Sequence, residues 1–291
     1  MNAFRRTDLA AELDLTNRSG IAERRENIGP FTVHTVEIIT EAAAERLRKP
    51  RGKYITLELG KIWLADSADF DRAASILSDK LALLASELSG HLPERILIAG
   101  LGNRRITADA LGDEAVGLIT VTRHIRSHNR RLFDLLGGRE ISAVTPSVLG
   151  QTGIETAELV RGAVMQVEPE LIIAVDALCA RSVSRLATTV QLGSTGISPG
   201  SGIGNHRRAV NEETLGVPVI ALGVPTVVDA AALVLDALEE AGMDAVDERL
   251  AQVLERRRGF FVTPKETDTI IRELARLIAR GISQAFGLPI G

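Results

Sequence analysis

The chain has 291 residues, 45% of them hydrophobic and only 3% aromatic, with a formal net charge of −4. Such apolar content excludes wholesale disorder, and a charge so near neutral gives no argument for a nucleic-acid or membrane partner. A single cysteine, Cys179, rules out an internal disulfide and any Cys-based metal cage.

With few aromatics, the core has to be built from Ala, Val, Ile and Leu, which suits helices packed on a buried parallel sheet. The N-terminal stretch has no apolar signal-peptide core, and no run of about 18 apolar residues occurs, so the reading is a cytoplasmic chain without a membrane-spanning helix. Residues 1–30 are charged and irregular and close on Gly29-Pro30, which reads as an arm ahead of a single α/β domain over 31–291.

Strand-length apolar runs follow at Tyr54–Leu59, Arg95–Gly100, Leu171–Val175, Thr188–Leu192 and Val217–Leu222. Two of them, ILIAG and LIIAV, are apolar throughout, as in strands buried on both faces. Helical patterns lie between. Thr152-Gly153-Ile154-Glu155 reads as a capping box for a helix to about Val167, and Thr226–Ala241 as a second helix. Thr263-Pro264-Lys265-Glu266 reads as a further capping box, opening a C-terminal helix whose apolar face carries Ile270, Ile271, Leu274, Leu277, Ile278 and Ile282. The expected fold is α/β, an open, mostly parallel or mixed sheet covered by helices.

In such sheets, sites form beyond the carboxyl ends of the strands. Asp109 follows the turn GLGNRRITAD after 95–100, and Asp176 directly follows 171–175. Two acids on one rim could share a water, one ionised and one protonated, with pKa values driven apart by mutual repulsion. Alternatively, each simply caps the next helix. The run PGSGIGN (199–205) lacks the Lys-Ser/Thr of a P-loop; it is either an anion-binding backbone or a plain loop. VTRHIRSHNRR (121–131) is basic but has no aromatic to stack a base, so a solvated face or interface is the simpler reading. No HExxH or GxSxG occurs, and Cys179, in an apolar context, reads as a core residue.

Read together, RTDLAAE, GLGN…TADALG, VTRH, GQTGIET, VDALCAR, TGISPGSGIGN, ETLGVPVIALGVPTVVDA and FVTPKETD resemble one family, the germination protease of endospore-forming bacteria. The resemblance implies an aspartic-type endopeptidase with catalytic Asp109 and Asp176 and a fold similar to the hydrogenase-maturation endopeptidases. It implies small acid-soluble spore proteins as substrates, no cofactor or metal, a homotetramer, and a place in the cytoplasm of the forespore and the spore core. Arg123, His124, Gly202, Gly204 and Asn205 are expected to line the site.

Family members are also made as zymogens that cut themselves, within a motif of threonine, acid, apolar residue, alanine, any residue and glutamate. Here the motif is Thr7-Asp8-Leu9-Ala10-Ala11-Glu12, which places the cut between Asp8 and Leu9 and makes residues 1–8 a pro-segment. Its charged flanks show no periodic apolar pattern, so opening it should cost little; the plainer alternative is that Thr7 caps a short helix. The chain departs from the family at Ala108, Asp113 and Glu114. DEAVG (113–117) is similar to a metal-site motif of the maturation peptidases, so a metal-dependent maturation-type peptidase using Asp109, Asp176 and Glu114 is the alternative. A binding module without catalysis is a further reading, which the presence of both aspartates opposes.

Overall fold

The alternating apolar and helical segments build one mixed sheet with helices on both faces. The computed structural model describes residues 7–200, 207–243, 247–256 and 259–289. The strands among them are β1 (Ile21–Ile28), β2 (Phe31–Ile38), β3 (Gly52–Glu58), β4 (Arg95–Gly100), β5 (Glu140–Val144), β6 (Leu171–Ala180), β7 (Thr189–Gly193), β8 (Val219–Asp229) and β9 (Phe261–Val262). They lie in the order β1-β2-β3-β7-β8-β6-β4-β5, with β9 paired to β8. The half β8-β6-β4-β5 is parallel. From β8 outward through β7, β3, β2 and β1, every pairing is antiparallel.

The helices are α1 (Glu41–Leu47), α2 (Ser67–Ser89), α3 (Leu111–Gly117), α4 (Arg123–His128), α5 (Arg130–Leu135), α6 (Leu149–Thr152), α7 (Thr156–Val167), α8 (Glu212–Leu215), α9 (Ala230–Glu240), α10 (Glu248–Arg256) and α11 (Thr267–Ala285). One face of the sheet is covered by α2, α3 and α11, whose Leu77, Leu81, Leu111, Leu274 and Leu277 share a core with Ile96, Ile98 and Ile173. A Cβ at Gly281 would come 2.7 Å from Leu77, so this glycine is what lets α11 close on α2. On the other face, α7 covers Leu97, Ala99, Ile172 and Ala174 of the parallel half. Ala10 and α1 cover Val36, Ile38 and Tyr54 of the antiparallel half.

Several elements differ from the sequence reading, each for a physical reason. Gly29-Pro30 is not a domain boundary. It is the two-residue turn of a hairpin in which Ile28 faces Phe31, with Gly29 at φ +60°. Residues 21–28 therefore belong to the sheet; their alternating exposure as an edge strand gives them their polar composition. Strand β6 runs five residues past Val175, to Ala180. Strand β8 likewise runs on through the β-branched Thr226-Val227-Val228 to Asp229, which then caps α9 by accepting from the Ala231 N–H at 2.8 Å. Neither expected capping box forms. Thr152 closes the short α6, its hydroxyl accepting from the Ile154 N–H, and α11 begins only at Thr267.

Candidate active site

The site is set by where neighbouring strands stop. β4 ends at Gly100, opposite Val175, so Asp176 is the first residue of β6 to emerge beyond that neighbour. It is not a helix cap but a strand residue, 4% exposed, with Oδ1 accepting from the Ala177 N–H at 2.9 Å. Across the sheet, Asp176 lies opposite Gly223 of β8, and Gly223 opposite Gln191 of β7. Residues directly opposite one another project to the same face, so Asp176 and Gln191 share one surface of the sheet, on either side of Gly223, over which Leu178 packs.

Asp109 reaches that surface through its own loop. From β4 the chain turns at Gly102, at φ +101°, where a Cβ would lie 2.1 Å from the Asp109 carbonyl oxygen. Only glycine allows this return. The Asn103 N–H then donates to Asp109 Oδ2 at 2.8 Å and fixes the carboxylate. Behind it, a Cβ at Gly112 would sit 2.5 Å from the backbone of both Leu101 and Val175, so α3 rests directly on the ends of β4 and β6. The glycines of GLGN…DALG serve this close approach.

Burial raises the Asp109 pKa, an effect opposed by the Asn103 N–H. Asp176 is pushed well above the usual carboxylate range, first by burial, then by the negative charges of Asp109 and Asp8. Such an arrangement drives the two acids apart: the proton is favoured on buried Asp176, while Asp109, half-buried and hydrogen-bonded, ionises more readily.

The third charge belongs to the N-terminal segment, which is docked at the same place. Asp8 donates its N–H to the Cys179 carbonyl at 3.0 Å, and its Oδ2 accepts from the Cys179 N–H at 2.9 Å. The Asp8 carbonyl oxygen accepts from Lys49 Nζ at 2.7 Å and from Gln191 Nε2 at 2.9 Å. Leu9 is fully buried against Leu178 and Ala180, a contact that contributes about 1.5–3 kcal/mol. Ala10 donates to Gln191 Oε1 at 2.6 Å. Glu12 accepts from the N–H groups of Arg181 at 2.7 Å and Ser182 at 2.9 Å. The expectation of an easily opened, unanchored segment is therefore corrected. Thr7 does not cap a helix either: its hydroxyl accepts from the Leu9 N–H at 2.9 Å and bonds Glu12.

The other candidates are placed elsewhere. Arg123 and His124 open α4, where the Arg123 guanidinium bonds the Gln166 carbonyl at 3.0 Å and His124 is exposed. Thr122 beside them bonds Ile141, in the row of Ile96 and Leu171, so they sit at the amino ends of the parallel strands and not with the aspartates. Gly202, Gly204 and Asn205 lie outside the described residues. Asp113 is half-buried and Glu114 exposed on α3, and among the described residues no group of three or more His, Cys, Asp and Glu is placed to hold a metal ion. Cys179 is a buried core thiol, raised to about 12 chiefly by that burial. Sequence reasoning missed Lys49, Gln191, Arg181 and Ser182. Only Gln191, a polar residue within the otherwise apolar TVQLG, offered a signal, because a buried amide needs a partner.

Against known proteins, residues 3–242 match the family model described as germination protease. The chain belongs to the germination protease family. The germination protease of Clostridium acetobutylicum is 39% identical over 98% of this chain and 95% of its own length. That of Caldanaerobacter subterraneus is 38% identical (96% and 93%), and that of Bacillus subtilis 34% identical (96% and 92%). Among solved structures, the [NiFe] hydrogenase maturation protease HycI of Thermococcus kodakarensis matches with a TM-score of 0.37 and 17% identity, over 70% of this chain and 99% of that one. This member of the family thus carries one buried and one half-buried carboxyl group beside a docked stretch of its own chain. No helix among its described residues is long and apolar enough to cross a membrane.

Proposed function

We propose that this germination protease is an aspartic-type endopeptidase using Asp109 and Asp176. In this reading it is made as a zymogen, removes residues 1–8 by cutting its own Asp8–Leu9 bond, and then cuts small acid-soluble spore proteins in the forespore and germinating spore core, as a homotetramer. The observation that carries the reading is the seat of Asp8: its carboxylate is close enough to Asp176 to raise that residue's pKa, and its backbone is bonded to Cys179, three residues along the same strand. Asp109, ionised, takes a proton from water, and Asp176, protonated, supplies one to the leaving amine. General acid and base steps of this kind each contribute about 10²–10⁴-fold.

Spore proteins with the same run of threonine, acid, apolar residue, alanine, any residue and glutamate fit the positions that Thr7–Glu12 now fill. The test is incubation of the processed protein with a small acid-soluble spore protein, followed by mass mapping of the cut bonds. Cuts after the acidic residue of that motif support the reading. Cuts scattered without regard to it, or none, overturn it.

A further inference from the structure

The Asp8 carbonyl is held in a way that a resting peptide does not require. An amide oxygen is satisfied by one neutral donor, whereas here it takes an ammonium and a carboxamide together, at 2.7 and 2.9 Å. Both donors are costly to place. Lys49 sits just past α1, where Arg48 adopts the left-handed region (φ 52°) and the Lys49 N–H bonds back to Ala44, turning its side chain under the N-terminal segment. Its ammonium lies 5.1 Å from the centroid of the Tyr54 ring, and that ring is itself fixed by hydroxyl bonds to Pro50 O and Thr195 Oγ1. Burial draws the Lys49 pKa down, while the Asp8 carboxylate opposes this. Gln191 is 7% exposed, and its orientation is locked because Oε1 accepts from the Ala10 N–H, which leaves Nε2 aimed at the Asp8 oxygen.

We propose that Lys49 and Gln191 form the oxyanion site of this protease, polarising the carbonyl of the bond to be cut and holding the negative charge that develops on its oxygen. The proposal rests on the reading that Asp8–Leu9 is cut by the aspartate pair. In the reaction, water oxygen bonds to the Asp8 carbonyl carbon as one of its protons passes to Asp109. The carbonyl π pair moves onto the Asp8 oxygen, between Lys49 Nζ and Gln191 Nε2. When that pair returns, the bond to the Leu9 nitrogen breaks and the nitrogen takes the proton of Asp176. The products are the Asp8 α-carboxylic acid and the Leu9 amine, between which the second water proton passes to leave a carboxylate and an ammonium, and the two aspartates have exchanged protonation states. Donors fixed in advance at a developing oxyanion need no reorganisation as the charge appears, which is why each is worth about 10²–10³-fold in rate. The antiparallel half of the sheet thereby acquires a part in the chemistry: β7 carries Gln191, and Lys49 precedes β3.

The test uses the full chain. Self-cleavage is timed by intact mass for the parent and for Lys49→Met, Lys49→Arg and Gln191→Glu. Methionine keeps the side-chain stem and removes the charge. Glutamate keeps the acceptor for Ala10 and removes the donor. Both are expected to slow cleavage by about 10²–10³-fold, with Lys49→Arg recovering part of the loss. In an Asp176→Asn background, where the bond stays whole, the ¹³C resonance of the labelled Asp8 carbonyl reports polarisation directly. It is expected to move upfield on adding Lys49→Met or Gln191→Glu while the circular dichroism is unchanged. A parent that cuts at Asp8–Leu9 while Lys49→Met or Gln191→Glu cuts within threefold of it overturns the oxyanion site alone. A parent that never cuts there overturns the cleavage reading and the oxyanion site with it. Should Lys49→Met fail to fold, Gln191→Glu and the carbonyl resonance decide.

Discussion

In the proposed reading, the parallel and antiparallel halves of the sheet divide the work of the site between them. The parallel half supplies the acids: Asp176 from β6, where β4 has ended, and Asp109 from the loop after β4. The antiparallel half and its approaches supply the grip on the peptide, through Gln191 of β7 and Lys49 ahead of β3. Gly223 of β8, the strand where the two halves meet, stands between Asp176 and Gln191 in the ladder, and having no side chain it leaves room for Leu178 to pack over it. A mixed sheet places acid–base groups and carbonyl donors on one face in a way that a purely parallel rim does not require.

Replacing an acid is the harshest way to break that division. Asp109→Asn and Asp176→Asn are each expected to abolish peptide cleavage with fold and assembly intact, because asparagine keeps the shape and cannot exchange a proton near neutral pH. Peptide assays beside circular dichroism check this, and most of the activity surviving in a folded variant ends that residue's catalytic role. The Glu12 anchor comes next. Its carboxylate binds two backbone N–H groups, and hydrogen bonds to a charged group are worth about 1.5–3 kcal/mol. Glu12→Ala should therefore slow processing at Asp8–Leu9 by roughly tenfold or more, read from the same intact-mass time course.

A smaller effect sharpens the assignment of the proton. The folded pKa of Asp176 is raised, so the native state holds this proton more tightly than the unfolded chain. Stability from that group is complete below the unfolded value of about 3.9 and is lost as pH rises toward the folded value. Asp176→Asn should then melt progressively higher than the parent as pH increases over that window, in thermal scans run at matched pH. A gap that narrows with rising pH would place the proton elsewhere. The smallest expected effect is none at all: exhaustive chelation should leave cleavage unchanged. Loss of cleavage, with recovery on adding a divalent ion, would make Asp109 and Asp176 metal ligands.

How legible each half was in the sequence follows from how it is buried. β4 and β6 are covered on both faces, so ILIAG and LIIAV announce themselves as apolar runs, and the two aspartates beyond them could be singled out. β1 alternates in exposure at the edge of the sheet, so IAERRENI reads as a charged arm although it pairs with β2 along its whole length. Helix termini were less legible because Thr152 and Thr263 have the right spacing for caps but form other bonds. Lys49 could not be found from local sequence at all. It is one lysine at the end of a short helix, and its role depends on a segment 41 residues earlier in the chain. The docking of that segment was hidden for a related reason: Leu9 lies in a short stretch with charged flanks and no sustained apolar periodicity, yet it is fully buried.

The most direct test is the intact mass of the purified full chain, held under mildly acidic, dehydrating conditions like those of a maturing spore, beside Asp176→Asn treated identically. The expected result is a mature form beginning at Leu9 in the parent, with Asp176→Asn remaining whole. An unchanged N-terminus in a parent that is fully active on spore proteins would contradict it.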